Sequence, residues 1–327
     1  MEKVLEIKDL EVSFKSDGKQ LKVVNGISFD VHKGETLGIV GESGCGKSVT
    51  SLSIMRLLPS PPGKITGGSI HYQGENLLEK KERDMRKIRG NEISMIFQEP
   101  MTSLNPVFTI GKQLDEVLLL HNDITKKAAR ERSIDMLKLV GIPRAEQIYE
   151  AYPFELSGGM RQRVMIAMGL ACQPKLLIAD EPTTALDVTI QAQILHLMKD
   201  LKKKTDTAIM LITHDLGVIA EMCDRVIVMY AGEIVEETDV DTLFNNPKHP
   251  YTIGLLESIP KLGEKRDRLR SIPGQVPLAG TITKGCRFAD RCSKTIPLCR
   301  EEDPELLEVK KGHSCRCWLH ADRSVTV

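Results

Sequence analysis

Short runs of consecutive apolar residues alternate with longer amphipathic stretches over most of the chain. The apolar runs are rich in Ile, Val and Leu, and they predict buried strands at residues 35–40, 92–97, 176–179 and 208–213. Periodicity at helical spacing predicts helices at residues 47–58, 160–171 and 188–203. Short buried strands separated by amphipathic helices indicate an α/β fold with a mostly parallel core sheet covered on both faces.

Three other regions depart from this alternation. Residues 5–14 and 26–31 have the pattern of paired strands, which predicts an N-terminal antiparallel β layer. Residues 109–150 lack buried-strand runs and carry many charges, which predicts a helical insertion. From residue 260 onward the periodicity disappears while Pro, Gly and Cys become frequent, as in a linker that leads into a loop-rich module.

The length and the charge balance limit the number of domains and the class of partner that we expect. A chain of 327 residues can hold more than one domain. We expect a first domain at residues 1–259, with a helical subdomain at about 109–160, and a Cys-rich module at residues 260–327. Lys and Arg (45) balance Asp and Glu (45), so no basic field favours nucleic acid as a partner. Without a long apolar run or an apolar leader, we expect an intracellular protein that serves a membrane only through a partner.

A glycine-rich motif provides the first candidate chemistry. The segment Gly41-Glu-Ser-Gly-Cys-Gly-Lys-Ser48 matches G-x-x-x-x-G-K-[ST], follows a predicted buried strand and opens a predicted helix. Backbone N–H groups of such a loop point at phosphate oxygens, the Lys reaches the β- and γ-phosphates, and the Ser hydroxyl binds Mg²⁺. The residues predicted to contact ATP here are Gly41, Ser43, Gly44, Cys45, Gly46, Lys47, Ser48 and Val49.

A second motif places two carboxylates at the end of an apolar strand. In Leu176-Leu-Ile-Ala-Asp180-Glu181, we expect Asp180 to hold Mg²⁺ and Glu181 to orient or deprotonate the attacking water. The alternative is that Asp180, Glu181 and Pro182 only cap the strand. The glycine-rich motif upstream favours the catalytic interpretation.

Between these motifs, Ser157, Gly158 and Gly159 precede a predicted helix and form a second candidate anion-binding helix N-terminus. With this third motif the chain resembles the nucleotide-binding subunit of an ATP-binding-cassette (ABC) transporter. In that family the signature loop of one subunit closes on the γ-phosphate that the glycine-rich loop of another holds. Met160 stands where the family usually has Gln, a departure that resembles the peptide-importer branch.

The resemblance implies roles for four further residues. Phe14 would stack on adenine, Gln98 would sense Mg²⁺ and water, Asp187 would lie at the dimer seam, and His214 would contact the γ-phosphate. A core aromatic residue, a solvated strand-end amide and a structural imidazole are the alternatives for Phe14, Gln98 and His214. The implied Mg²⁺ ligands are Ser48, Gln98 and Asp180.

Residues 249–260 and the segments that follow sharpen the resemblance. They are similar to the region after the cassette in ATPases of dipeptide, oligopeptide and nickel importers. That similarity implies peptide uptake through two transmembrane permease subunits, a second, paralogous ATPase subunit, an external substrate-binding protein, and a peripheral place at the cytoplasmic face of the membrane. Import of nickel or another small solute is the nearest alternative. A DNA-repair cassette is disfavoured by the single cassette, the absence of sustained heptads and the neutral charge.

Five of the eight cysteines lie in the last 42 residues. Clustered thiols in a reducing cytosol favour a metal centre over disulfides, and the long spacings suit an iron–sulfur cluster better than a zinc knuckle. The family module carries His313-x-x-x-Cys317, which favours Cys317 over Cys315 as the fourth ligand. We therefore predict a 4Fe-4S cluster, with zinc as the alternative, on Cys286, Cys292, Cys299 and Cys317.

Overall fold

The computed structural model describes residues 2–16, 18–98, 103–183, 187–259, 271–282 and 284–321, without the side chain of Leu201. The backbone divides into two units. The first unit comprises Met1–Leu5, Asp30–Thr36 and His71–Ile212, and the second comprises Glu6–Phe29, Leu37–Ile70 and Thr213–Val327.

The described residues form the following strands and helices, given in chain order. The strands are β1 (Lys3–Ser16), β2 (Lys19–His32), β3 (Thr36–Val40), β4 (Gly63–Tyr72), β5 (Glu75–Asn76), β6 (Ile93–Ile96), β7 (Leu176–Asp180), β8 (Ala208–Ile212), β9 (Arg225–Tyr230), β10 (Glu233–Asp239), β11 (Leu307–Lys310) and β12 (His313–Cys315). The α-helices are α1 (Lys47–Ile54), α2 (Glu82–Ile88), α3 (Ile110–His121), α4 (Lys126–Leu139), α5 (Ala145–Glu150), α6 (Gly158–Leu170), α7 (Val188–Thr205), α8 (Leu216–Met222), α9 (Val240–Asn245), α10 (Pro250–Glu257) and α11 (Leu298–Glu301). Within these residues no helix has both the length and the apolar character needed to cross a membrane.

The first unit is built on the parallel strands β6, β7 and β8, with β7 in the middle. Every residue of β7 and β8 is buried, as the continuous apolar runs predict for a sheet covered on both faces. The helices α3, α4 and α5 occupy the region where the sequence predicts a helical insertion. The carboxylate of Asp115 on α3 accepts hydrogen bonds from Ser133 of α4 and Tyr149 of α5, which ties the three helices together.

The second unit contains a mixed sheet. Strand β3 pairs in parallel with β9, β9 pairs antiparallel with β10, and the C-terminal hairpin β11–β12 adds to β10. The sequence predicts a loop-rich module after residue 260 and gives no indication of strands there, so this hairpin differs from the prediction. Strands of four and three residues are too short to show an alternating pattern, and β11 is mostly exposed.

The helix that follows the glycine-rich motif is shorter than predicted. It ends at Ile54 instead of residue 58, and Arg56 adopts a left-handed conformation with φ 49°. A non-glycine residue in that region interrupts helical hydrogen bonding, and side-chain periodicity does not reveal it.

Candidate functional site

The loop at residues 41–48, which we call the phosphate loop, leads from β3 into α1. A Cβ atom on Gly41 would lie 2.2 Å from the carbonyl oxygen of Met229, so no larger residue fits there. Gly46 caps α1 with φ 102°, a conformation that strongly favours glycine. The motif glycines therefore set the path of the backbone, as the sequence predicts.

The Lys47 ammonium lies inside this loop. It donates to the carbonyl oxygens of Gly41 at 2.7 Å and Glu42 at 3.1 Å, and the side chain is only 6% exposed. A cation beside a helix N-terminus in a glycine-rich loop is suited to binding phosphate. The neighbouring Cys45 is buried, and burial raises the pKa of its thiol, which disfavours the nucleophilic thiolate.

The other predicted residues of the loop face outward to different degrees. Ser43 and Gly44 are exposed at its tip, whereas Ser48 and Val49 are half-buried in the first turn of α1.

Phe14 and His214 belong to the same unit as the phosphate loop. Phe14 is half-buried on β1, and a Cβ atom on Gly63 would lie 3.0 Å from its ring. His214 is exposed and follows Thr213, whose N–H donates to the carbonyl oxygen of Ile39. That hydrogen bond places His214 near the end of β3, the strand that leads into the phosphate loop.

The carboxylate motif lies in the first unit. Because β6 and β7 are parallel and in register, with Ile96 opposite Ala179, the residues that follow both strands meet at one edge of the sheet. There the Gln98 amide donates to the Glu181 carboxylate at 2.9 Å. Asp180 is 3% exposed at the end of β7, and Glu181 has a left-handed backbone with φ 48°. Strained backbone of this kind clusters at functional sites.

Two further predicted residues are helix N-caps in the first unit. The Ser157 hydroxyl accepts the N–H of Met160 at the start of α6, and the Asp187 carboxylate accepts the N–H of Ile190 at the start of α7. Gly158 and Gly159 form the first turn of α6, and a side chain at Gly158 would meet open space. Ser157 and Asp187 are exposed, as contact with a partner subunit requires. Ala185 and Leu186 lie outside the described residues.

The structure therefore groups the predicted residues by unit. The phosphate loop, Phe14 and His214 belong to the second unit. The Gln98–Glu181 pair, Asp180 and the two N-caps belong to the first.

The cysteine prediction requires a correction. Cys286, Cys292, Cys299 and Cys317 line one cavity of about 10 Å³, room for about one water molecule, whereas Cys315 lies in strand β12. Among the described residues, no group of three or more His, Cys, Asp or Glu side chains is placed to hold a metal ion.

The thiols that line this cavity are partly or fully buried. Burial raises the pKa of Cys286 to about 12 and also raises the pKa of Cys292 and Cys317. The prediction of a 4Fe-4S cluster, and of zinc in its place, is wrong for this structure.

Sequence reasoning missed two residues that contact the phosphate loop from the C-terminal region. The Tyr251 hydroxyl accepts the N–H of Glu42 at 2.9 Å, and the Arg291 guanidinium binds the Glu42 carboxylate through both terminal nitrogens at 2.6 and 3.0 Å. Both residues lie in segments that support the family resemblance, but nothing in their local pattern indicates contact with residue 42.

Two family models match the chain. The model described as "ABC transporter" matches residues 24–184, and "Oligopeptide/dipeptide transporter, C-terminal region" matches residues 235–299.

Curated relatives match over nearly the whole length. The oligopeptide transport ATP-binding protein AppD of Bacillus subtilis (strain 168) is 56% identical over 322 residues, covering 98% of this chain and 98% of the relative. The dipeptide transport ATP-binding protein DppD of the same organism is 51% identical over 324 residues, covering 99% and 97%.

Solved structures share the fold. The dimeric ATP-binding cassette MJ0796, in a post-hydrolysis state bound to ADP and Pi, superposes with a TM-score of 0.66 at 26% identity, over 72% of this chain and 98% of that chain. The predicted ABC-type α/β ATPase fold is thus confirmed. By family models, relatives and fold, the chain belongs to the family of ATP-binding subunits of ABC-type oligopeptide and dipeptide transporters.

Proposed function

We propose that this subunit binds Mg-ATP at the phosphate loop and hydrolyses it to energise the uptake of di- and oligopeptides through a membrane permease. Membership of the peptide-transporter family supports the peptide substrate, because the identity continues through the C-terminal region that the family model describes. The observation that supports hydrolysis best is the Gln98–Glu181 hydrogen bond at the sheet edge.

Glu181 is the proposed general base. Its carboxylate follows the buried strand β7, and Gln98 holds one of its oxygens in place, which fixes the direction in which it can accept a proton from water. The Lys47 ammonium and the N-terminus of α1 provide positive potential for the phosphates. His214 is proposed to contact the γ-phosphate and Phe14 to stack on adenine.

The donor set fits Mg²⁺. The proposed ligands, the Ser48 hydroxyl, the Gln98 amide oxygen and the Asp180 carboxylate, are hard oxygen donors of the kind that Mg²⁺ prefers. When bound, Mg²⁺ neutralises charge on the β- and γ-phosphates.

The assembly that we propose has two ATPase subunits. Ser157 and Gly158, which are exposed, and the half-buried Gly159 would complete the ATP site of a second, paralogous subunit from the N-terminus of α6, and Asp187 would lie at the seam between the subunits. Two permease subunits would carry the peptide across the membrane after an external substrate-binding protein delivers it. The ATPase would then bind peripherally to the cytoplasmic face of the membrane.

Glu181→Gln tests the catalytic assignment. The amide cannot take the proton of water, so we expect ATP turnover by the reconstituted transporter to fall by about 100-fold or more, while the Kd for Mg-ATP stays within about twofold. Peptide uptake into proteoliposomes should fall in parallel.

The matched control is Glu150→Gln, which neutralises an exposed carboxylate of the same unit. This variant should hydrolyse ATP and transport peptide as the wild type does. Turnover by Glu181→Gln close to the wild-type rate would show that another group is the base.

A further inference from the structure

Arg291 connects the C-terminal region to the phosphate loop through a fully satisfied guanidinium. Its Nη1 and Nη2 atoms each donate to one oxygen of Glu42, at 2.6 and 3.0 Å. The remaining donors reach the Tyr230 hydroxyl at 3.3 Å and the carbonyl oxygens of Pro273 at 2.9 Å and Ile272 at 3.5 Å. All five N–H groups of the side chain therefore have acceptors.

The ion pair is shielded by an aromatic cluster. Tyr230, Tyr251 and Phe288 pack with ring centroids 4.7 to 5.4 Å apart, and both tyrosines are fully buried. The Arg291 side chain is 6% exposed, whereas that of Glu42 is 30% exposed. A bidentate, charge-assisted pair in such surroundings is stronger than a surface ion pair and fixes the orientation of both groups.

Glu42 is held at three points, and two of them come from the C-terminal region. Arg291 binds its carboxylate, and Tyr251 accepts its N–H. Its carbonyl oxygen accepts from Lys47 and from the N–H of Cys45, both within the phosphate loop. The position of Glu42 therefore sets the position of the lysine and of the loop backbone.

We propose that Arg291 is a positioning residue of the nucleotide site: by holding Glu42, it keeps the phosphate loop in the conformation that binds ATP. The inference rests on the proposed binding of ATP at this loop. It makes the C-terminal region a determinant of nucleotide affinity, although that region supplies no residue of the motif itself. By linkage, ATP binding should in turn stabilise the docking of the C-terminal region.

Arg287 is a second residue of the C-terminal region that is linked to the loop, but only through another part of the chain. It donates to the carbonyl oxygen of Ala231 at 2.7 Å, and the N–H of the same peptide unit, on Gly232, donates to the carbonyl oxygen of Cys45 at 3.0 Å. One peptide unit thus separates Arg287 from the loop, so its removal should have a smaller effect than removal of Arg291.

The test measures the Kd for Mg-ATP by calorimetry on the full chain, using folded protein confirmed by circular dichroism. Arg291→Met keeps the aliphatic volume and removes the guanidinium group, and we expect the binding of Mg-ATP to weaken about tenfold. Arg291→Lys keeps the charge without the bidentate geometry and should weaken binding about threefold. Arg287→Met should lie between Arg291→Met and the wild type.

Arg316→Met is the matched control. Arg316 joins the same C-terminal region to the carbonyl oxygen of Ile234 on β10 and contacts no residue of the phosphate loop. This variant should lower the melting temperature while leaving the Kd for ATP within about twofold. Loss of general stability alone would therefore not reproduce the effect expected of Arg291→Met.

Glu42→Gln tests whether Arg291 acts through Glu42, and it remains informative if Arg291→Met does not fold. We expect Glu42→Gln to weaken ATP binding, and Arg291→Lys to weaken it no further when Glu42 is already Gln, because the two residues share one interaction. Unchanged Kd values in both Arg291→Lys and Glu42→Gln would overturn the inference. If the wild type binds ATP no better than Lys47→Ala, the proposed function itself fails.

Discussion

The phosphate loop and the cysteine-rich segment at residues 286–317 lie in the same unit, and a short motif marks each of them in the sequence. In the loop, the spacing of glycines and lysine corresponds to one backbone path, and the Lys47 ammonium lies inside the loop. In the segment, four thiols line a small cavity without forming a metal-binding group among the described residues.

The difference lies in what each motif constrains. The backbone itself requires glycine at positions 41 and 46. A Cβ atom at position 41 would clash with its surroundings, and the φ angle at position 46 would be strained for any other residue. Cysteines constrain no backbone angle, and their spacing states only which side chains could converge. A motif that specifies backbone conformation therefore predicts a structure, whereas a motif of ligand-capable side chains predicts only a possibility.

The largest effect is expected from a methyl group at the start of the loop. In Gly41→Ala the new Cβ would meet the Met229 carbonyl oxygen at 2.2 Å and displace the loop, so we expect Mg-ATP binding to weaken about 100-fold. The control is Gly18→Ala, which has a similarly unfavourable φ of 75° but no atom within 4 Å. Near-normal binding by Gly41→Ala would break the comparison, because the backbone path would then not be set by the glycine.

The pH dependence of the free energy of unfolding tests the burial of His249, which lies in the same unit as the cysteine-rich segment. Burial, followed by the charges of His320 and Arg316, lowers the pKa of His249 to about 3. His249 is therefore neutral in the folded chain but protonates below its ordinary pKa of 6.5 when unfolded. The free energy of unfolding should fall by about 1.4 kcal/mol per pH unit as the pH drops from 6.5 towards 3.

His249→Asn should flatten that pH dependence while keeping an N-cap acceptor for the N–H of Tyr251. Urea unfolding at pH 7, 6 and 5 measures the difference. Parallel curves for the variant and the wild type would mean that other groups account for the acid sensitivity of this region.

The smallest effect is expected from replacing a buried cysteine of the cysteine-rich segment. Cys299 is buried at 7% exposure, and Cys299→Ser places a hydroxyl there without an arranged partner, so the free energy of unfolding should fall by about 1 kcal/mol. The Kd for ATP should not change. Cys172→Ser, at a half-buried thiol that already contacts Asn122, should cost less. A tenfold loss of ATP affinity in Cys299→Ser would erase the distinction between the two regions.

Much of the first unit was predictable because short stretches of its sequence record the burial of its strands and the residues that follow them. Strands β7 and β8 are buried on both faces and therefore show as uninterrupted apolar runs. Once two strands are known to be parallel, the meeting of Gln98 and Glu181 follows from their position after the strands. The hairpin β11–β12 was not predictable, because its strands are too short and too exposed to leave a pattern.

By itself the sequence determined the phosphate loop, the parallel core and the family, since each depends on backbone conformation or on burial that a short stretch of chain records. Only the tertiary structure decided that Arg291 binds Glu42, 249 positions away, and how closely the thiols of the C-terminal region converge. Contacts between side chains far apart in the chain depend on how whole elements pack, and no local pattern of residues encodes that packing.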